Sequence, residues 1–183
     1  MLVGIFISVF VAEINGLLRK LIRMDTFEFT IIVTPITEEI LKAIPILVYA
    51  TMISDKKETL FTASMATGIG FALLENAYYL LIIPDFNMGS AVIRAFGAGL
   101  MHGMCTLLVG VGISFVRKKP KLFVVGTFGL LSTAIVYHGV YNILIQSKYD
   151  IVGTLLPIMT YIPFFIWRLR IKHRQKMENE KSK

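Results

Sequence analysis

Residues 91–116 read AVIRAFGAGLMHGMCTLLVGVGISFV, an apolar stretch of 26 residues interrupted by one arginine and one histidine. About 20 apolar residues are enough to cross the hydrocarbon core of a bilayer as a helix. Five more stretches of comparable character occur in the chain, at 2–18, 27–53, 60–83, 122–145 and 151–167. The pattern predicts an all-α polytopic membrane protein, with about six transmembrane helices in one bundle.

The composition excludes the other broad classes of protein. Of 183 residues, 55% are apolar and 17% are charged, and the mean hydropathy is +0.70, whereas soluble domains carry about 25% charged residues. The single cysteine, Cys105, excludes a disulfide scaffold, an iron–sulfur cluster and a thiolate zinc site within one chain. Because the connectors are short, we expect one bundle over 1–167 and a basic cytoplasmic tail over 168–183.

The basic residues predict an orientation. The connectors 54–59 and 117–121 and the tail 168–183 fall on one side of a six-helix bundle and hold 13 Lys and Arg residues. The opposite side holds five, namely Arg19, Lys20, Arg23, Arg94 and Lys148. By the positive-inside rule both termini are cytoplasmic. Three of the five opposing charges follow the first stretch directly, which conflicts with that rule. We interpret the net charge of +7 as topology and expect no nucleic-acid partner.

Several polar side chains lie inside the apolar stretches, where a charged group costs about 2.5–3.5 kcal/mol. They are Glu38, Glu39, Lys42, Glu75, Asn76, His102, His138 and Asn142. Glu38, Glu75, His102 and His138 each lie 14 to 16 residues from the cytoplasmic end of their stretch. At 1.5 Å per residue this places all four about 21 to 24 Å above that end. We therefore expect a polar cavity at one level, in the outer half of the membrane.

Helical spacing adds local detail. Residues four apart share a face, so Glu38 is expected to face Lys42, and His138 to share a face with Asn142. Phe71 lies one turn below Glu75 and is expected to form an apolar wall beside it. The glycines at 99 and 103 and those at 68 and 70 favour close approach of neighbouring helices.

Four short motifs resemble those of the PrsW-type intramembrane proteases, which are related to the type II CAAX prenyl endopeptidases. They are Glu38-Glu-Ile-Leu-Lys42, Phe71-Ala-Leu-Leu-Glu75-Asn76, His102 and His138-Gly-Val-Tyr-Asn142. Each motif alone is weak, but together they occur in order and each lies inside an apolar stretch. The chain is compact for the family and lacks a large external loop for substrate recognition.

The resemblance implies a glutamate-dependent endopeptidase that cuts a membrane-anchored protein, similar to an anti-sigma factor, near the outer membrane face. It assigns the base to Glu38 or Glu39, and we favour Glu38. Further catalytic roles fall on Glu75, His102, His138 and Asn142, and supporting roles on Lys42, Phe71 and Asn76. We expect the protein in the cytoplasmic membrane of a prokaryote, in contact with the lipid bilayer and a membrane-anchored substrate.

In the preferred mechanism a glutamate activates water without a cofactor. Three alternatives to this mechanism remain open from the sequence alone. The nearest rival is a zinc metalloprotease with ligands drawn from Glu38, Glu75, His102 and His138, because zinc takes histidine and carboxylate ligands. A non-catalytic scaffold subunit and a proton-coupled carrier would also keep such residues in the membrane. Cysteine catalysis through Cys105 is disfavoured, since a buried cysteine ordinarily packs as a small apolar residue.

Overall fold

The computed structural model describes residues 1–54, 56–82, 88–117 and 119–181. Over these residues the chain is helical, without strands. In chain order the α-helices are α1 (Leu2–Leu21), α2 (Thr26–Glu28), α3 (Thr34–Val48), α4 (Lys57–Ile82), α5 (Met88–Val116), α6 (Pro120–Ile145) and α7 (Asp150–Lys181). Two π-helical segments, Phe29–Val33 and Tyr49–Ile53, flank α3. The predicted all-α class is confirmed.

Five of the described helices, α1, α4, α5, α6 and α7, are long and apolar enough to cross a membrane. The remaining predicted span, 27–53, is a continuous helical run in which the π-helical segments separate α2 from α3 and end the run. Asp25 starts this run, because its Oδ1 accepts the Glu28 backbone N–H at 2.8 Å. Pro45 lies inside α3 and lacks the N–H that would bond one turn back, just before the second π-helical segment. About six helices therefore form the bundle, as predicted.

Helix α5 lies at the centre of the bundle. It packs against α3, α4, α6 and α7. Met101, Cys105, Leu107, Val109 and Ile113 along α5 are all buried. The other helices expose large apolar side chains on their outer faces, among them Leu81, Phe128 and Ile151. A buried central helix with an apolar outer ring is the arrangement expected when the outer faces contact lipid.

One glycine sets the distance between α4 and α5 close to the polar residues. A Cβ atom at Gly68 would overlap the backbone carbonyl of His102. The absence of a side chain therefore lets α4 lie directly against the turn of α5 that carries His102. For Gly99, expected to have the same role, no atom of the described residues lies within 4 Å of an added Cβ. The close approach runs through Gly68 and not through Gly99.

Helix α7 continues beyond the predicted span 151–167. It runs without a break to Lys181, so most of the expected basic tail is the helical end of α7. At 1.5 Å per residue, a helix of this length extends beyond a hydrocarbon core of about 30 Å. The basic end of α7 thus projects from the bundle.

Candidate active site

Two glutamates and two histidines meet inside the bundle. Glu38 and Glu39 lie on α3, His102 on α5 and His138 on α6, and one ligating atom from each lies within 4.8 Å of the other three. All four residues are buried, with 1 to 3% of their surface exposed. The rings of His102 and His138 meet edge to face at 5.0 Å between centroids. We call these four residues the Glu/His group.

Lys42 carries the positive charge beside this group. Its Nζ lies 2.6 Å from Glu39 Oε1 and 2.7 Å from His102 Nδ1, and its surface is 0% exposed. Its distance to Glu38 Oε2 is 4.0 Å. Lys42 therefore faces Glu38, as expected, and makes its shorter contact with Glu39. The spacing of three residues to Glu39 brings the shorter contact because both i+3 and i+4 neighbours share a helix face.

These contacts assign the tautomer of His102. An ammonium group only donates hydrogen bonds, so His102 Nδ1 accepts from Lys42. In the neutral ring Nε2 then carries the proton and donates to Glu75 Oε2 at 2.8 Å. Glu75, on α4, orients the imidazole from behind and lies outside the Glu/His group. The sequence analysis named Glu75 as a possible zinc ligand. In the structure Glu75 instead contacts the far side of the His102 ring.

His138 has a similar carboxylate partner. Its Nδ1 lies 2.8 Å from Glu39 Oε1, the same oxygen that binds Lys42. Glu39 is thus tied to two neighbours through one oxygen. Glu38 Oε2 has no hydrogen-bond partner among the described residues and lies 3.8 Å from His102 Nδ1 and 3.9 Å from His138 Nδ1. Separations of this size leave room for a small bridging species between Glu38 and the histidines.

A cavity of about 250 Å³ opens onto this cluster. It is lined by Glu75, His102 and His138, and by Asn142 further along α6. Asn142 Nδ2 donates to the backbone carbonyl of Thr30 at 3.0 Å, within the π-helical segment Phe29–Val33. One N–H of the amide is used in this bond, and the second is left for another acceptor.

Two supporting residues have neighbours that the sequence analysis did not predict. The Phe71 ring contacts the His102 ring at 4.9 Å and lies 4.6 Å from Lys42 Nζ. It therefore forms a wall beside the histidine and lysine. Asn76 points its Oδ1 into a buried position where that atom has no hydrogen-bond partner within the described part of the chain.

The cavity also contains residues that the sequence analysis missed. Arg94 lies over the Tyr79 ring, with 3.7 Å between Cζ and the ring centroid, and its Nη2 is 4.0 Å from Glu75 Oε1. The sequence analysis considered Arg94 only as one of the basic residues on the external side of the membrane. The signal that points to it is its position two turns before His102 on the same helix, which brings it to the Glu75 face of the cavity.

The side chains of the Glu/His group fit a divalent metal ion such as zinc. Imidazole nitrogens and carboxylate oxygens are the ligands that catalytic zinc takes. His102 hydrogen-bonds the Glu75 carboxylate through Nε2 and presents Nδ1 to the group, as metal-ligating histidines usually do. Within the described ranges, Glu38 Oε2 and Glu39 Oε2 are buried without hydrogen-bond partners, and such oxygens are costly unless a cation or water satisfies them.

Comparison with known proteins agrees with this arrangement. The sequence pattern of the PrsW family, described as intramembrane metalloproteases, matches residues 1–168. No curated protein and no solved structure was found to match the chain. The match covers all the residues of the Glu/His group and the helices that carry them. The chain belongs to the PrsW family of intramembrane metalloproteases.

Proposed function

We propose that this intramembrane peptidase hydrolyses a peptide bond of a membrane-anchored protein, similar to an anti-sigma factor, near the outer membrane face. The observation that carries the proposal is the Glu/His group, four buried ligating residues within 4.8 Å inside a membrane bundle. Peptide hydrolysis needs an activated water, donors for the oxyanion and a proton for the leaving amine. The residues around the cavity supply groups for each need.

We assign the metal site to His102, His138 and Glu39. Glu39 Oε1 binds Lys42 and His138, while Oε2 has no hydrogen bond and is available as a ligand. A zinc ion bound there would polarise a water molecule and the scissile carbonyl. Coordination through His102 Nδ1 requires Lys42 Nζ to leave that nitrogen and stay with Glu39. The family's description as metalloproteases favours this zinc alternative over water activation without a metal.

Glu38 is the base in this proposal. Its Oε2 is free of hydrogen bonds and faces both histidines at 3.8 and 3.9 Å, so a water between them can give a proton to Glu38. Glu39 is less suited, because its Oε1 already binds both Lys42 and His138. Glu38 can then pass the proton to the departing nitrogen. The second N–H of Asn142 faces the cavity and donates to the oxyanion.

The charge count supports an orientation with both termini in the cytoplasm. Together with the residue counts along the helices, this orientation supports a position of the Glu/His group in the outer half of the membrane. In that orientation the substrate is cut near the outer face of a cytoplasmic membrane. The cavity lining includes Thr26, Thr30 and Thr34 at the start of the second span. Their hydroxyl oxygens can accept hydrogen bonds from an unwound substrate segment on its way to Glu38.

The test separates the base from the metal ligands. Membranes of cells with and without the active chain are compared for new protein N-termini, and a membrane protein cut only where the chain is present becomes the purified substrate. We expect Glu38→Gln to abolish cleavage and keep the metal, and Glu39→Gln and His102→Ala to lose both. Chelator should remove activity, and zinc should restore it. Near-normal cleavage by both glutamine variants would contradict the proposal, and full activity in chelator would restore the mechanism without metal.

A further inference from the structure

A second cavity, of about 360 Å³, lies between α4, α5 and α7, far from the catalytic cavity. Phe61 in its lining precedes Glu75 by 14 residues on α4, which is about 21 Å along the helix. The proposed peptidase chemistry uses none of the residues of this cavity. The cavity lies where α4 begins and α5 ends. We call it the interface groove, because these helix ends lie near the boundary between membrane and water.

The inner part of the interface groove is apolar and aromatic. The rings of Phe61 and Phe164 stack at 6.0 Å, and the Phe164 ring meets Trp167 at 5.8 Å. Val111 lines the groove on the α5 side. A tryptophan beside other aromatic residues at one level is typical of the boundary between hydrocarbon and headgroups. These walls suit an acyl chain.

The rim of the interface groove carries three cations. Lys57 Nζ lies 4.1 Å from the Phe115 ring centroid, and Arg168 Cζ lies 3.6 Å from that of Phe61. Lys172 lines the groove one turn beyond Arg168. Glu58 is the acidic residue of the lining and is paired with Arg168. The formal charge of the lining is therefore +2, and the aromatic contacts hold two of the cations at its edge.

The depth of these groups matches a phospholipid. Arg168 is 18 residues beyond Asp150, the first residue of α7, or about 27 Å along a helix that crosses about 30 Å of hydrocarbon. The cations therefore lie at headgroup level, and Phe61 and Phe164 lie one turn deeper. The phosphate of a lipid can therefore contact the cations of the rim while an acyl chain of the same lipid contacts the apolar walls.

We propose that the interface groove binds an anionic phospholipid of the phosphatidylglycerol type. A zwitterionic lipid would bring its own cation next to three others, with one carboxylate already engaged by Arg168. A headgroup with a net negative charge meets no such repulsion. Basic pockets between transmembrane helices bind anionic lipid headgroups by this principle. The inference does not depend on the catalytic assignment.

The test uses the purified, delipidated full chain with phosphatidylglycerol and phosphatidylcholine of identical acyl chains. Native mass spectrometry measures how much of each lipid the protein retains. Each basic residue near an anionic lipid contributes about fivefold, so a net charge of two predicts a preference of about 25-fold for phosphatidylglycerol. Lys57→Gln/Lys172→Gln should remove this preference. The matched control is Arg170→Gln/Arg174→Gln, which removes the same charge from a different face of α7 and should keep it.

A third variant tests the walls without changing charge. Val111→Phe adds bulk inside the groove and should lower the retention of both lipids, while the protein stays monodisperse in detergent. Three results would each overturn the proposal. They are equal retention of the two lipids by the unmodified chain, loss of preference in the Arg170 and Arg174 control equal to that of the lysine variant, and unchanged phosphatidylglycerol retention in Val111→Phe.

Discussion

Lys42→Met removes the buried ammonium and leaves the Glu39 carboxylate with His138 as its remaining hydrogen-bond partner. Lys42 Nζ lies 2.6 Å from Glu39 Oε1, and both side chains are 1% exposed. Breaking a buried ion pair by removing one partner costs about 3–5 kcal/mol, since the remaining charge is left uncompensated. We expect the free energy of unfolding to fall by about that amount. Lys56→Met, at an exposed position, should change it by at most about 0.5 kcal/mol.

A double-mutant comparison identifies the partner of Lys42. Glu39→Gln in the Lys42→Met background removes the stranded charge and keeps an amide beside His138, so it should restore about 2 kcal/mol or more. Glu38→Gln in the same background should restore about 1 kcal/mol or less, because Glu38 Oε2 is 4.0 Å from Lys42 Nζ and forms no hydrogen bond to it.

The assay is reversible unfolding in mixed micelles with chelator present, so that no bound metal ion replaces the missing charge. The unmodified chain and every variant are unfolded at the same chelator concentration. Rescue by Glu38→Gln that equals or exceeds rescue by Glu39→Gln would refute the reasoning, and so would a single Lys42→Met variant as stable as the Lys56→Met control.

Three further predictions concern chemistry and orientation. Asn142→Ala should lower the turnover of a cleaved substrate about 10²- to 10³-fold, the usual cost of one oxyanion donor, with metal content unchanged; a loss below tenfold would remove Asn142 from that role. Arg94→Gln should weaken metal binding about 10-fold or more by freeing Glu75, the partner of His102, whereas unchanged affinity would make Arg94 irrelevant to the site. Reporter fusions at Lys119 and Tyr149 should report cytoplasmic and external locations, and the reverse would overturn the orientation.

The sequence was sufficient to predict the helices and the meeting of their polar residues. Apolar length indicates a span directly, and the equal heights of Glu38, Glu75, His102 and His138 follow from counting at a fixed rise per residue. Height along a helix, however, does not give rotation around it. The contacts of Lys42 with Glu39 rather than Glu38, and the place of Glu75 behind His102, depend on that rotation.

Contacts between segments that are distant in the chain could not be predicted from the sequence. The bond from Asn142 to the Thr30 carbonyl spans 112 residues and depends on the π-helical segment Phe29–Val33, for which the chain offers no periodic signal. Arg94 lies two turns before His102 on α5, but in the sequence its charge was attributed to membrane topology. Its contact with Glu75 arises only when α4 and α5 pack together.

The packing of α4 on α5 can be tested through the two glycines that the sequence treats alike. A Cβ at Gly68 overlaps the backbone of His102, which cannot rotate away as a side chain can, whereas a Cβ at Gly99 meets nothing within 4 Å. Overpacking of this kind costs about 1–3 kcal/mol. Gly68→Ala should lower the free energy of unfolding by that amount. It should also weaken metal binding, because separating the helices lengthens the 2.8 Å contact of Glu75 with His102.

Gly99→Ala should be neutral or stabilising by up to about 1 kcal/mol, since alanine favours the helix. Unfolding and zinc titration of both variants decide the matter, and equal effects at the two positions would show that Gly68 does not set the approach of α4 to His102.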